Sequence, residues 1–183
     1  MKRNHSPSRR PAAGTAATVA GLAPVRVSIA GRGRPAGVPA RRTFEHWAAA
    51  ALGRHSGSAE VSLLVVGPAR SRALNRTWRG KDRPTNVLSF APEGRAAPMA
   101  EGGGGHLPGV TLLGDLVICP VVLRAEARAQ RNRLRDHWAH LFVHGLLHLL
   151  GHDHERPDQA RRMERREVRV LRSLGIANPY RSL

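Results

Sequence analysis

The stretch His144-Gly-Leu-Leu-His148-Leu-Leu-Gly151-His-Asp-His154 decides how the rest of the chain is read. On an α-helix, residues four apart lie about 40° apart around the axis and roughly 6 Å along it, so His144 and His148 can hold one ion between them. Gly151 offers the exit. Glycine takes the left-handed conformation that ends helices, which lets the chain turn back and return a third imidazole to the same ion. His152 and His154 are both within reach by length alone. Histidines at relative positions 0, 4 and 10 with glycine at 7 match the layout of the H-E-x-x-H-x-x-G-x-x-H metallopeptidases, and that favours His154. Three neutral nitrogens with a fourth position left to water describe a catalytic zinc site, not a closed structural one.

A lone histidine on an apolar helix is ordinarily a hydrogen-bonded core residue. Here the spacing of three, with the glycine between them, argues for a metal. His140 is also four residues from His144, but no glycine exit follows that pair. It is read as a core residue or an outer-shell one, bonded to a ligand or a backbone carbonyl. The departure from the peptidases matters more than the likeness. Their glutamate after the first histidine is the general base for peptide hydrolysis, and here that position is Gly145. Peptide hydrolysis is disfavoured accordingly. Phosphodiester cleavage remains open, because an arginine near the ion can stabilise charge on a phosphate.

The rest of the composition points the same way. The 183 residues, 41% of them hydrophobic, suffice for one domain with its own core. A formal net charge of +17 suits a protein that works against a polyanion, with nucleic acid the first candidate. An arginine-biased composition of the kind a GC-rich genome produces would also raise the charge, so charge supports nucleic-acid binding without establishing it. One cysteine, Cys119, excludes an internal disulfide and a cysteine zinc cluster, and fits a reducing cytoplasm. No apolar run approaches the roughly 20 residues that span a bilayer, so no membrane partner is expected.

Taken in order, residues 1–24 read as a basic, disordered tail and 25–183 as the domain. Val25–Ile29 alternates as a strand, followed by a Gly/Pro/Arg-rich loop to Ala40. Thr43 is expected to cap a helix to Leu52 that carries Phe44 and Trp47 into the core. Glu60–Val66 is a second strand. Pro68 opens a helix through Leu74, Asn75, Trp78 and Arg79, and Thr85–Phe90 is a third strand. Residues 91–109 read as a mobile loop with four consecutive glycines. Leu112–Cys119 is a fourth strand, and Pro120 starts a helix to Arg131. After a break at 132–136, the metal-bearing helix spans His137–Leu150, and an amphipathic helix runs from Pro157 to Leu174.

At these residues the chain resembles the YbeY family of single-strand-specific metallo-endoribonucleases. The resemblance rests on Leu74-Asn-Arg-Thr-Trp-Arg79, Lys81 to Phe90 (KDRPTNVLSF), Leu113-Gly-Asp-Leu-Val-Ile118, Trp138 through His154, and Asn178-Pro-Tyr180. It implies an α+β fold, with a mixed four-stranded sheet packed with helices in a single domain. It implies one Zn2+ on His144, His148 and His154, with Arg79 as the functional arginine at the phosphate. Asp115 and Lys81 are weaker candidates for the cleft, Asp115 reading equally well as a strand-end residue bonded to nearby backbone. The implied activity is cleavage of single-stranded RNA in ribosomal RNA maturation and ribosome quality control, with ribosomal particles as partners, in the cytoplasm. A non-catalytic assembly factor with a structural zinc is the rival reading, and a metallopeptidase a more distant one.

Overall fold

A computed structural model describes residues 25–30, 36–53, 58–92, 110–154 and 156–180. The expected N-terminal tail, residues 31–35 and the four-glycine run lie outside the described residues. The elements are β1 (Val25–Ala30), α1 (Arg41–Leu52), β2 (Ser58–Val65), α2 (Pro68–Arg79), β3 (Val87–Phe90), β4 (Val110–Ile118), α3 (Pro120–Ala129), α4 (Leu134–Leu149) and α5 (Pro157–Ser173). The strands form one sheet in the order β1-β2-β4-β3. β1, β2 and β4 run parallel and β3 pairs antiparallel with β4, which makes the sheet mixed and the fold α+β, as expected.

Side chains alternate across this sheet, so each face serves its own helices. Leu116 and Ile118 of β4 enter the main core beside Val61 and Leu63 of β2. Val117 and Cys119 face the other way and join Val66, Leu88 and Leu74 of α2 in a smaller cluster. Cys119 is therefore a small buried hydrophobe. β4 also carries a bulge, because Leu112 pairs with Glu60 and Gly114 with the next residue, Val61. Gly114 has a φ of 122°, and a Cβ there would lie 2.3 Å from the Phe90 carbonyl oxygen. Glycine at this position lets β3 close on β4.

The main core is built on α4. Its Trp138 and Phe142 meet Phe44 and Trp47 of α1, with ring centroids 5.0 Å apart for Phe44 and Phe142 and 5.8 Å for Phe44 and Trp138. All four rings are at most 1% exposed. Each contributes about 1.5–3 kcal/mol by burial, which fixes the rotation of α4. The stripe left uncovered is His140, His144 and His148, which faces a cleft.

Several element ends differ from the sequence reading, each for a local reason. α1 starts at Arg41, and Thr43 caps nothing. The Ala40 carbonyl already accepts the Thr43 and Phe44 amides, so the first turn is formed before Thr43. α4 starts at Leu134 instead of His137, because the Arg133 carbonyl accepts the Asp136 and His137 amides. The break before α4 is a short turn in which Arg131 has a φ of 54°. β3 begins at Val87 and excludes Thr85, whose amide and carbonyl are both held by the Ser71 hydroxyl. β2 and β4 each begin two residues earlier than expected, and α3 stops at Ala129. No helix among the described residues is long and apolar enough to cross a membrane.

Candidate metal centre

The C-terminal end of α4 is closed by backbone bonds that need a left-handed residue. Gly151 has a φ of 82°, its amide donates to the His148 carbonyl, and the His152 amide donates to the Leu147 carbonyl, both at 3.0 Å. This pair of bonds reverses the chain and brings His154 back over the helix. The ring centroid of His154 stands 4.9 Å from that of His148 and 5.6 Å from that of His144. One nitrogen from each of His144, His148 and His154 lies within 4.8 Å of the others. His152, the rival third ligand, is outside this group and does not line the cleft.

The nitrogens suit an ion on geometry and on protonation. Two ligands of a tetrahedral zinc at 2.0–2.1 Å stand roughly 3.3 Å apart. The Nε2 atoms of His144 and His148 are 3.2 Å apart. His144 Nδ1 is 2.6 Å from Oε1 of Glu167, a carboxylate that only accepts, so Nδ1 donates to it and Nε2 is the ring nitrogen left to face an ion. Burial, followed by the neighbouring His144 and His154, lowers the His148 pKa to about 4, so its imidazole is neutral at physiological pH.

Glu167 is the residue that sequence reasoning missed. It sits on α5, 0% exposed, and its second oxygen accepts the Tyr180 hydroxyl and lies 3.4 Å from His140 Nε2. Burial alone would raise its pKa, but hydrogen bonds from His140, His144 and Tyr180 outweigh it and hold the carboxyl at about 2. Burial, then the adjoining carboxylate, pushes the Tyr180 hydroxyl up, so it stays a donor. A carboxylate that fixes the tautomer of a ligand histidine is a recurrent support of zinc sites. A signal was present in the sequence, since Glu167 interrupts the apolar stripe of Met163, Val170 and Leu171. His140 thus bonds to the supporting carboxylate rather than to a ligand or a backbone carbonyl.

The histidines open on a cleft of about 760 Å³ whose other wall carries Arg79, Lys81, Val87 and Ser89. Arg79 ends α2 and Lys81 follows it across the left-handed Gly80, on a segment latched to the helix that precedes it. The Asn75 amide donates to the Arg83 carbonyl at 2.7 Å, Ser71 holds Thr85, and Arg72 forks onto Asp82 at 2.6 and 2.8 Å. Asn75 and Ser71 are each 2% exposed. Asn75→Ala leaves the Arg83 carbonyl without this donor and is expected to cost about 1–3 kcal/mol, read as a lower urea midpoint.

Two expected positions take different places. Asp115 is not a strand-end residue; it lies inside β4 opposite Ser62 and Phe90, 5% exposed, and does not line the cleft. Gly145 proves to be a packing residue. A Cβ there would lie 2.8 Å from Leu116 Cδ2, 3.1 Å from Ser89 Oγ and 3.2 Å from Val87 Cγ2. The Ser89 hydroxyl donates to the Gly145 carbonyl, so β3 rests directly on the helix.

Residues 38–175 match the family model described as Endoribonuclease YbeY. The chain belongs to the YbeY family. The matched stretch contains the three histidines, Arg79, Lys81 and Glu167, and ends before Tyr180. Among YbeY relatives, Endoribonuclease YbeY of Alkalilimnicola ehrlichii is 50% identical over 151 residues, which cover 80% of this chain and 84% of that one. A Thermotoga maritima protein solved in solution is 21% identical with a TM-score of 0.49, covering 85% of this chain and 99% of its own.

Proposed function

We propose that this YbeY-family chain is a zinc-dependent endoribonuclease that cuts single-stranded RNA in ribosomal RNA maturation and ribosome quality control. One juxtaposition carries the reading: three histidine nitrogens converge in the cleft that Arg79 and Lys81 line. His144, His148 and His154 would hold one Zn2+, which when bound supplies Lewis acidity toward a phosphate oxygen and toward water. Arg79 holds the scissile phosphate, since its planar fork of donors matches two phosphate oxygens and offsets charge that builds as the bond breaks. Lys81 adds a point charge on the same wall. Glu167 keeps the His144 proton on Nδ1, so that Nε2 faces the ion. The net charge of +17 and the name of the 50% identical relative support RNA as substrate. Ribosomal particles as partners and a cytoplasmic location complete the reading.

The test is cleavage of a single-stranded ribosomal RNA fragment by the zinc-loaded chain. Chelation or His144→Ala is expected to abolish cleavage while RNA binding stays detectable. Parallel loss of binding and cleavage would mark the ion as a structural clip in an assembly factor. Arg79→Ala is expected to lower kcat/KM by about 10²–10³ with zinc content unchanged. Binding should weaken steeply as salt rises, and a flat response would count against a phosphate-tracking surface.

A further inference from the structure

We propose that Tyr180 is a stacking platform for an unpaired base next to the scissile phosphate, and that its ring gives the cleft a preference for single strands. The inference rests on the RNA-cleaving reading of the same site.

Tyr180 is the only tyrosine in the chain. At 43% exposure it is, with Val121, one of two exposed large hydrophobic side chains among the described residues. The other aromatic residues have packing partners. Phe44, Trp47, Trp138 and Phe142 are buried in the main core, and Trp78 and Phe90 pack edge to face with centroids 5.5 Å apart. The exposed ring is placed where the chemistry would be, since it lines the cleft with Arg79, Lys81 and the histidines.

The ring is also held. Its hydroxyl donates to the buried Glu167 carboxylate, and the His140 imidazole stands perpendicular to it at 5.5 Å between centroids. The polar end is thus tied down while the residue stays 43% exposed in the lining of the cleft. A fixed aromatic surface loses little freedom when a flat partner settles on it. The flat partner that an RNA strand offers is a nucleobase. In a duplex both faces of each base are covered by neighbours, so an unpaired base is the one free to lie on the ring. Arg79 and Lys81 in the same cleft suit the phosphates, which position the strand without reading it. Hydroxyl and ring therefore have separable tasks, the first in supporting His144 through Glu167 and the second in receiving the base.

The experiment measures kcat/KM of the zinc-loaded full chain on a single-stranded RNA heptamer and on a series in which one base at a time is removed. Wild type is expected to show one position at which the abasic substitution lowers kcat/KM by about tenfold. Tyr180→Leu should lose about the same factor on the intact heptamer and no more at that abasic position. Tyr180→Trp should keep the abasic penalty at the same position. Tyr180→Phe should also keep it, while binding zinc more weakly in competition with a chromophoric chelator, a readout that stacking does not move. An abasic penalty that persists in zinc-loaded Tyr180→Leu, or is absent from wild type at every position, overturns the inference. Should the leucine variant fail to hold zinc, loss of the penalty in Tyr180→Trp overturns it instead. Cleavage of the heptamer without any base dependence removes this inference alone, and failure of wild type to cleave any RNA removes the proposed function with it.

Discussion

Glu167→Ala is expected to weaken zinc binding by about 10- to 100-fold and to destabilise the metal-free chain by about 1.5–3 kcal/mol. The two effects have separate causes. Zinc affinity falls because nothing then fixes the proton on His144 Nδ1, and the ring is free to turn or to protonate Nε2. Stability falls because the carboxylate is 0% exposed and bonded to His144 and Tyr180, with His140 at 3.4 Å, so its removal takes the acceptor from these half-buried and exposed donors and leaves a void where it stood. Glu167→Gln separates the causes. It preserves volume and can keep its carbonyl oxygen on the His144 N–H, with its NH2 turned to the Tyr180 hydroxyl, which can accept, but it removes the negative charge. Its penalty should therefore be smaller than that of alanine both in zinc competition and in urea resistance, and the part that remains reads the loss of the charge. Unchanged zinc affinity in both variants would rule out a supporting role for the carboxylate.

Gly145→Glu should fail to make a peptidase and should instead prevent stable folding. The substitution restores a glutamate at the position where the peptidases of similar spacing carry their base, but there is no room for its first carbon. Leu116, 2.8 Å from the virtual Cβ, is itself 0% exposed and cannot swing outward. Gly145→Ala alone is expected to cost about 1–3 kcal/mol by overpacking, and the longer side chain adds an ionised group pressed against the sheet. Circular dichroism and the urea midpoint measure both. A folded Gly145→Glu chain of normal stability would mean that β3 can lift away from α4, and that the glycine reflects chemistry and not packing.

How far each feature could be read from the sequence follows from how local its cause is. The pairing of His144 with His148 and the return of His154 depend on helix geometry and on one left-handed glycine, and both are visible in a run of eleven residues. The sheet and its helices were legible from alternation, from helical periodicity and from the family motifs. The starts of α2, α3 and α5 were legible in Pro68, Pro120 and Pro157, but those of α1 and α4 were not, because the Ala40 and Arg133 carbonyls open them without any side-chain cap. Thr85 looked like strand and is instead captured by Ser71, 14 residues away. Glu167 lies 23 residues from the histidine it supports, and no periodicity links an acid on one helix to an imidazole on another. Gly145 could be read as a missing base but not as a contact, since Leu116, Ser89 and Val87 come from two other strands.

The separation between His144 and its carboxylate also sets a timetable. Glu167 follows His144 by 23 residues, and Tyr180 follows Glu167 by another 13. At about 5–20 residues per second, a growing chain exposes its three histidines before it has made the acid that orients them and the hydroxyl that secures the acid. An unfinished polypeptide halted in that interval carries the triad without its support. For a nuclease proposed to act on ribosomal RNA, this order would delay full loading of the proposed ion on the nascent protein, when the machine that makes it is also its nearest RNA.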